Sequence, residues 1–377
     1  MMIKTNSVRV FFLKFTLLIL LLYNCHRYLL KYNSESTSPT YSNTPFLWKI
    51  SKYILITVGL IGVYAFSRYR VKGSKVAYVS LCIIALLLVV NVVSFVIYDK
   101  LIFDEFEYLF FFIVLYPFFF INEETLIYVK SNMDKALLLA TYFCVMTNIY
   151  VILNFYLTGR LPALAWEGIL VRFGGLWDDP NAFGFICVFL FFVNFLKKRY
   201  VLSFALLGSI FFSFSLSAFA LFLAAIIYWS GLSGLRINRR LLYFFVPVLF
   251  VIGYVALSHA DQIVRFVQIK SGSIRDHSKF EILLSPVPLM QPMQFHETWL
   301  LSFLVNYFPL SLVVLIYFGV LLYNSFIRTK KSPIDFYIFL FICGNLFLPF
   351  FYMFPLNFVF ILFLIINIRL RYEAISC

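Results

Sequence analysis

Residues 181–240 read NAFGFICVFLFFVNFLKKRYVLSFALLGSIFFSFSLSAFALFLAAIIYWSGLSGLRINRR. Three apolar runs, 181–196, 200–214 and 217–232, are separated by little. Two knots of positive charge bound the second and third: Lys197-Lys198-Arg199 before them, Arg236 and Arg239-Arg240 after. Basic residues beside membrane spans stay on the cytoplasmic side. Both knots face one compartment only if the chain crosses an even number of times between them. One long helix over 200–232 crosses once and strands a knot outside. Two short helices meeting near 215–217 satisfy the charge.

The same pattern holds over the whole chain. Of 377 residues, 63% are hydrophobic and 13% are charged. The mean hydropathy is +0.92. Soluble domains run at about 45–50% apolar and about 25% charged. A globule of this size must cover itself with polar groups, and this chain lacks them. The composition excludes a soluble enzyme, a disordered chain and a nucleic-acid reader. The net charge of +14 sits in short knots between apolar runs rather than on one soluble face.

Hydropathy predicts an all-α fold, a polytopic membrane helical bundle with about twelve transmembrane helices forming a single integral membrane domain over 1–377. The spans fall at 10–26, 48–67, 76–98, 106–121, 136–157, 181–196, 200–214, 217–232, 241–257, 299–323, 334–351 and 354–368. No small-x-small cleavage site follows Leu22, so the first run is expected to remain as a span. With both termini cytoplasmic, most of the 31 basic residues lie inside. They run from Lys4 and Arg9 through Arg68, Lys130 and the two knots to Arg369 and Arg371. The first external loop departs from the rule, because Arg27, Lys31, Lys49 and Lys52 flank it. Two other external segments stand out: the connection 158–180 and the large loop 258–298 between spans nine and ten. The second is roughly 40 residues, a length usually kept for function. Its apolar Ile263, Val264, Phe266 and Val267 predict that it folds against the membrane face.

Residues 172–184 carry the densest chemistry: Arg172, Gly174-Gly175, Trp177, then Asp178-Asp179-Pro180-Asn181 opening a span. The glycines allow close approach of backbone to a ligand. Asp179 is expected to cap the next helix, with Pro180 and Asn181 in its first turn. Arg172 then lies at the external interface, where its planar fork suits a phosphate or diphosphate. The bland alternative is an arginine snorkelling to water; the glycines and the turn outweigh it.

Arg-x-Gly-Gly followed by Asp-Pro-Asn at the start of a span resembles the signature of the O-antigen polymerase and O-antigen ligase superfamily of membrane glycosyltransferases. Ser213-Phe214-Ser215-Leu216-Ser217-Ala218 is similar to that family's Ser-x-Ser-Arg segment, with Ala218 where an arginine is common. In the long loop, Ser271-Gly272-Ser273-Ile274-Arg275 resembles the family's arginine after a small-residue turn. His296-Glu297-Thr298-Trp299-Leu300-Leu301 resembles its His-Asn-x-x-Leu, with Glu297 replacing the asparagine.

The resemblance implies a bacterial cytoplasmic (inner) membrane enzyme and a polyprenyl-diphosphate-linked oligosaccharide donor on the external face, within the membrane lipid. Arg172 and Arg275 would balance the leaving diphosphate. His296 would serve as general base on the acceptor hydroxyl, since its ordinary pKa suits neutral pH, or Glu297 would serve instead. A chain-length regulator and a flippase are partners that the resemblance implies; nucleic acid is not expected. A polymerase of surface polysaccharide is the leading expectation. A ligase to the lipid A core is the alternative; a lipid-linked oligosaccharide transporter and a structural subunit are further rivals.

No cofactor is expected. Neither is a metal: the external carboxylates include Asp178-Asp179 but no Asp-x-Asp pair, so arginines are expected to stand in for a cation. Cys25, Cys82, Cys144, Cys187, Cys343 and Cys377 form no CxxC pair and read as packing residues. The 49 phenylalanines and 25 tyrosines are expected mostly in aromatic belts and on the lipid face.

Overall fold

A computed structural model describes residues 2–22, 46–69, 75–99, 110–158, 166–167, 170–175, 180–232, parts of 311–323, 333–347 and 356–373. These residues are almost entirely helical. In chain order the helices are α1 (Met2–Leu22), α2 (Phe46–Ala65), α3 (Lys75–Tyr98), α4 (Glu123–Thr158), α5 (Pro180–Leu196), α6 (Tyr200–Phe212), α7 (Leu216–Leu232), α8 (Pro333–Phe347) and α9 (Leu356–Glu373). A shorter apolar helix, Phe110–Phe119, precedes α4 and closes in a 3-10 turn over Tyr116–Phe119. Among the described residues, Glu123–Thr158 is the helix long and apolar enough to cross a membrane, and several shorter apolar helices accompany it. The expected span 241–257, most of 299–323 and the loop 258–298 lie outside the described residues.

The expected break between two helices is present: α6 and α7 are separate, with three residues between them. Helix α4 departs from expectation. It starts at Glu123 rather than near 136 and runs for 36 residues. Its start is set locally. Asn122 accepts the Thr125 amide on Oδ1 at 3.2 Å, and Glu123 and Glu124 lie in the first turn, where acids favour the positive helix end. The segment 158–180, expected only as a connection, contains a small hairpin. β1 (Trp166–Glu167) pairs antiparallel with β2 (Leu170–Val171), Trp166 opposite Val171.

Helix α5 is the centre of the bundle. Every residue from Ala182 to Asn194 is buried, as a helix apolar on all sides requires. Phe189 meets Tyr337 and Phe341 of α8 and Phe363 of α9. Phe192 meets Phe222 of α7 and Phe336 of α8. Part of the aromatic content thus packs in the core, beside the exposed aromatic residues such as Phe11, Phe95, Tyr150 and Phe204. Phe183, Phe185, Phe191, Phe336, Phe341 and Phe358 are among the largest fully buried side chains. Edge-to-face rings fill volume and attract one another, so phenylalanine packs between helices here.

Several helices carry apolar side chains on their outer faces as well as in the core. Ile54, Val58 and Ile61 of α2, Leu86, Val89 and Val92 of α3, and Leu139, Met146 and Leu153 of α4 are exposed. Inside lie Thr141, Asn148, Asn194, Ser203 and Ser209. They pair across helices: Asn194 Nδ2 donates to Thr141 Oγ1 at 2.8 Å, and Asn148 Nδ2 to Ser209 Oγ at 3.1 Å.

Basic residues from distant parts of the chain meet at one end. Arg9 of α1 donates to Thr125. The carbonyl of Arg68, just after α2, accepts the Asn122 amide. Arg369 of α9, buried, donates to the carbonyls of Phe119 and Ile121 at 2.8 and 2.7 Å. Lys197 pairs with Asp134 at 2.5 Å.

Candidate functional site: the Arg172 junction

The hairpin delivers the chain to the opposite end of the α5–α6 pair. The Phe173 amide donates to the carbonyl of Phe212, the last residue of α6, at 2.9 Å. The Phe173 ring is buried and lies edge-on to Phe155 of α4 and Phe212. Arg172 is thereby held over the break between α6 and α7. Its Nε donates to the Ser213 carbonyl at 3.0 Å. Its Nη2 donates to Asn181 Oδ1 at 2.6 Å.

Arg172 is only 2% exposed. The expectation of an arginine reaching out at the interface is therefore modified. Its guanidinium is enclosed and links two segments 41 positions apart. The Ser213 carbonyl lies at the C-terminal end of α6, which carries partial negative charge and favours a cation.

The glycines have local reasons of their own. Gly175 has φ +58°, and a Cβ there would lie 2.8 Å from Phe183 Cε2. Conformation and packing both demand glycine. Gly174 is buried beside it. Pro180 is the first residue of α5, the position where its missing N–H costs nothing. Asn181 follows and turns its carbonyl oxygen to Arg172 rather than to solvent.

The break itself is tightly built. Ser213 Oγ donates to the Ile210 carbonyl at 2.7 Å. Phe214 has φ +44°, an uncommon conformation for an aromatic residue and a local strain. Ser215 caps α7: its Oγ accepts the Ala218 amide at 3.2 Å and lies 3.1 Å from Ser217 Oγ. Gly184 makes room for all of this. A Cβ on Gly184 would come within 2.8 Å of Ser213 Oγ, 2.9 Å of Ala218 Cβ and 3.2 Å of Ser215 Cβ. Ala218 is fully buried and faces α5 at that glycine. A longer side chain at 218 would run into α5 at Gly184.

Two helix N-termini thus approach Arg172. Asn181 in the first turn of α5 bonds it, and Ser215 at the start of α7 is two residues from Ser213. Each terminus carries roughly half a unit of positive charge, and Arg172 adds a full unit.

Of the expected site residues, Arg172 bonds Asn181, Gly174 and Gly175 are buried beside Arg172, and Pro180 opens α5. Asp179, Arg275, His296 and Glu297 lie outside the described residues. Among the described residues no group of three or more His, Cys, Asp or Glu side chains is placed to hold a metal. Compared with known proteins, the chain matches no family model, no curated protein and no solved structure.

Proposed function

We propose that this chain is a multi-pass glycosyltransferase of the bacterial cytoplasmic membrane, a polysaccharide polymerase. It would join polyprenyl-diphosphate-linked oligosaccharide repeat units into O-antigen, capsule or exopolysaccharide on the external face. The observation that carries the reading is the bond from Arg172 to Ser213. It unites the two windows, 172–184 and 213–218, on which the family resemblance rests in the described residues.

The bilayer setting is supported by the apolar outer faces. Exposed leucine, isoleucine and valine on several helices with asparagine, serine and threonine inside is the arrangement expected when the solvent is lipid. The proposed orientation puts both termini in the cytoplasm; it places the basic residues gathered at the end away from Arg172 on that side. Positive charge collects on the cytoplasmic side.

In the proposed reaction the acceptor hydroxyl oxygen attacks the anomeric carbon of the donor glycan. The bond from that carbon to the diphosphate oxygen breaks, and the lipid diphosphate leaves with the electron pair. His296, or Glu297, takes the hydroxyl proton. Arg172, Arg275 and the two helix N-termini stabilise the charge that grows on the leaving group. Arg172 acts from an enclosed position, where solvent screens its field little.

The test is a gel of surface polysaccharide from a strain lacking the gene. Core capped by a single repeat unit, with no ladder, supports polymerisation. Long chains held on the lipid carrier beside bare core would make the protein a ligase instead.

A further inference from the structure

Along one face of α4, Asp134, Thr141, Asn148 and Phe155 recur at intervals of seven. Each contacts the α5–α6 hairpin or the chain leading into it. Asp134 pairs with Lys197, and Thr141 accepts from Asn194. Asn148 donates to Ser209, and Phe155 packs on Phe173. A seven-residue interval keeps one helix face on a partner over several turns.

The last two contacts reach the Arg172 junction. Ser209 stands one turn before Ser213, and the Ser213 amide donates to the Ser209 carbonyl at 3.1 Å. The Ser213 carbonyl in turn receives Arg172 Nε. Phe173, gripped by Phe155, bonds Phe212 through its amide.

Asn148 is a poor choice for stability alone. It is 2% exposed, and its Oδ1 is buried with no hydrogen-bond partner among the described residues. An amide oxygen left bare among apolar helices is a cost that leucine would avoid. What the amide offers is direction. Its bond to Ser209 selects which turn of α6 stands against α4, as single buried polar residues select register in coiled coils.

We propose that Asn148 is a positioning residue. Through Ser209 it sets the axial place of the last turn of α6, and so of the Ser213 carbonyl that orients Arg172. Its link to catalysis rests on the reading of this junction as the donor site.

The test is hydrogen–deuterium exchange of the full chain in lipid nanodiscs, with Asn148→Leu and Ser209→Ala. The expected result is exchange about three- to tenfold faster in 170–175 and 211–218, the scale of one interhelical hydrogen bond in a membrane. Residues 123–140 should be unchanged, and Asn148→Leu should melt no earlier than wild type. Unchanged exchange in both segments, or equal acceleration along the whole chain, overturns the proposal. Polymer output measured in parallel separates the two claims. Faster local exchange with wild-type output keeps the positioning and removes the catalytic role of the junction. Should Asn148→Leu fail to fold, Ser209→Ala, which deletes a single hydroxyl, carries the same expectation.

Discussion

The Nε of Arg172 and the carbonyl of Ser213 lie 3.0 Å apart. This one bond joins the loop that precedes α5 to the break that follows α6. Nothing in the side chain of Ser213 announces it, because the acceptor is backbone. Its consequence is that the two motif segments form one site and respond together to substitution.

Arg172→Lys should impair polymer synthesis although the charge is kept. Lysine is a point donor and cannot reproduce the directed pair to Ser213 O and Asn181 Oδ1 from a planar fork. Loss of one charge-assisted bond is worth about 1.5–3 kcal/mol, so output should fall about tenfold or more. The check is polysaccharide yield at matched protein abundance; a wild-type yield removes the fork from the account.

Gly184→Ala should destabilise the protein by about 1–3 kcal/mol through overpacking. The new methyl would meet Ser213 Oγ and Ala218 Cβ inside 3 Å. Gly208→Ala on α6 is the matched control. A methyl there has nothing within 4 Å, and alanine should stabilise the helix by about 0.5–1 kcal/mol. Thermal melting of the two purified variants should therefore shift in opposite directions.

Gly175→Ala combines a φ of +58° with a close contact to Phe183. Left-handed backbone alone costs about 1–2 kcal/mol for a residue with a Cβ. Melting should fall and polymer yield with it. Equal melting would mean that the turn at 175 relaxes freely.

Transfer should not need a divalent cation. In the proposed reaction arginines take the place a divalent cation would fill at the leaving diphosphate. EDTA should leave the activity of purified protein unchanged. Loss on EDTA with recovery on Mg²⁺ or Mn²⁺ would place a metal where the account places arginine.

Much of the helical order was legible because long apolar runs bounded by charged or polar residues leave a coarse record. The charge knots at 197–199 and 236–240 led to the expectation of two helices, and the chain does break between Phe212 and Leu216. The start of α4 was not legible from hydropathy, because Glu123, Lys130 and Asp134 dilute the apolar signal there; the Asn122 cap and its two glutamates were the available sign. The site was legible in part. Arg172, the glycines and Asn181 were visible as residue types with special uses. The burial of Arg172, the clearance at Gly184 and the packing of Ala218 were not, because each depends on a neighbour distant in sequence. The seven-residue interval of Asp134, Thr141 and Asn148 was present in the sequence and is the signal that points to the α4 contact.

The most direct measurement is reconstitution. Purified protein in nanodiscs would be given the cell's own polyprenyl-diphosphate-linked repeat unit as sole glycan. The account predicts a ladder of lipid-linked oligomers with release of polyprenyl diphosphate, and neither product from Arg172→Ala. A single unextended repeat unit with wild-type protein, or a ladder of equal intensity from Arg172→Ala, would contradict it.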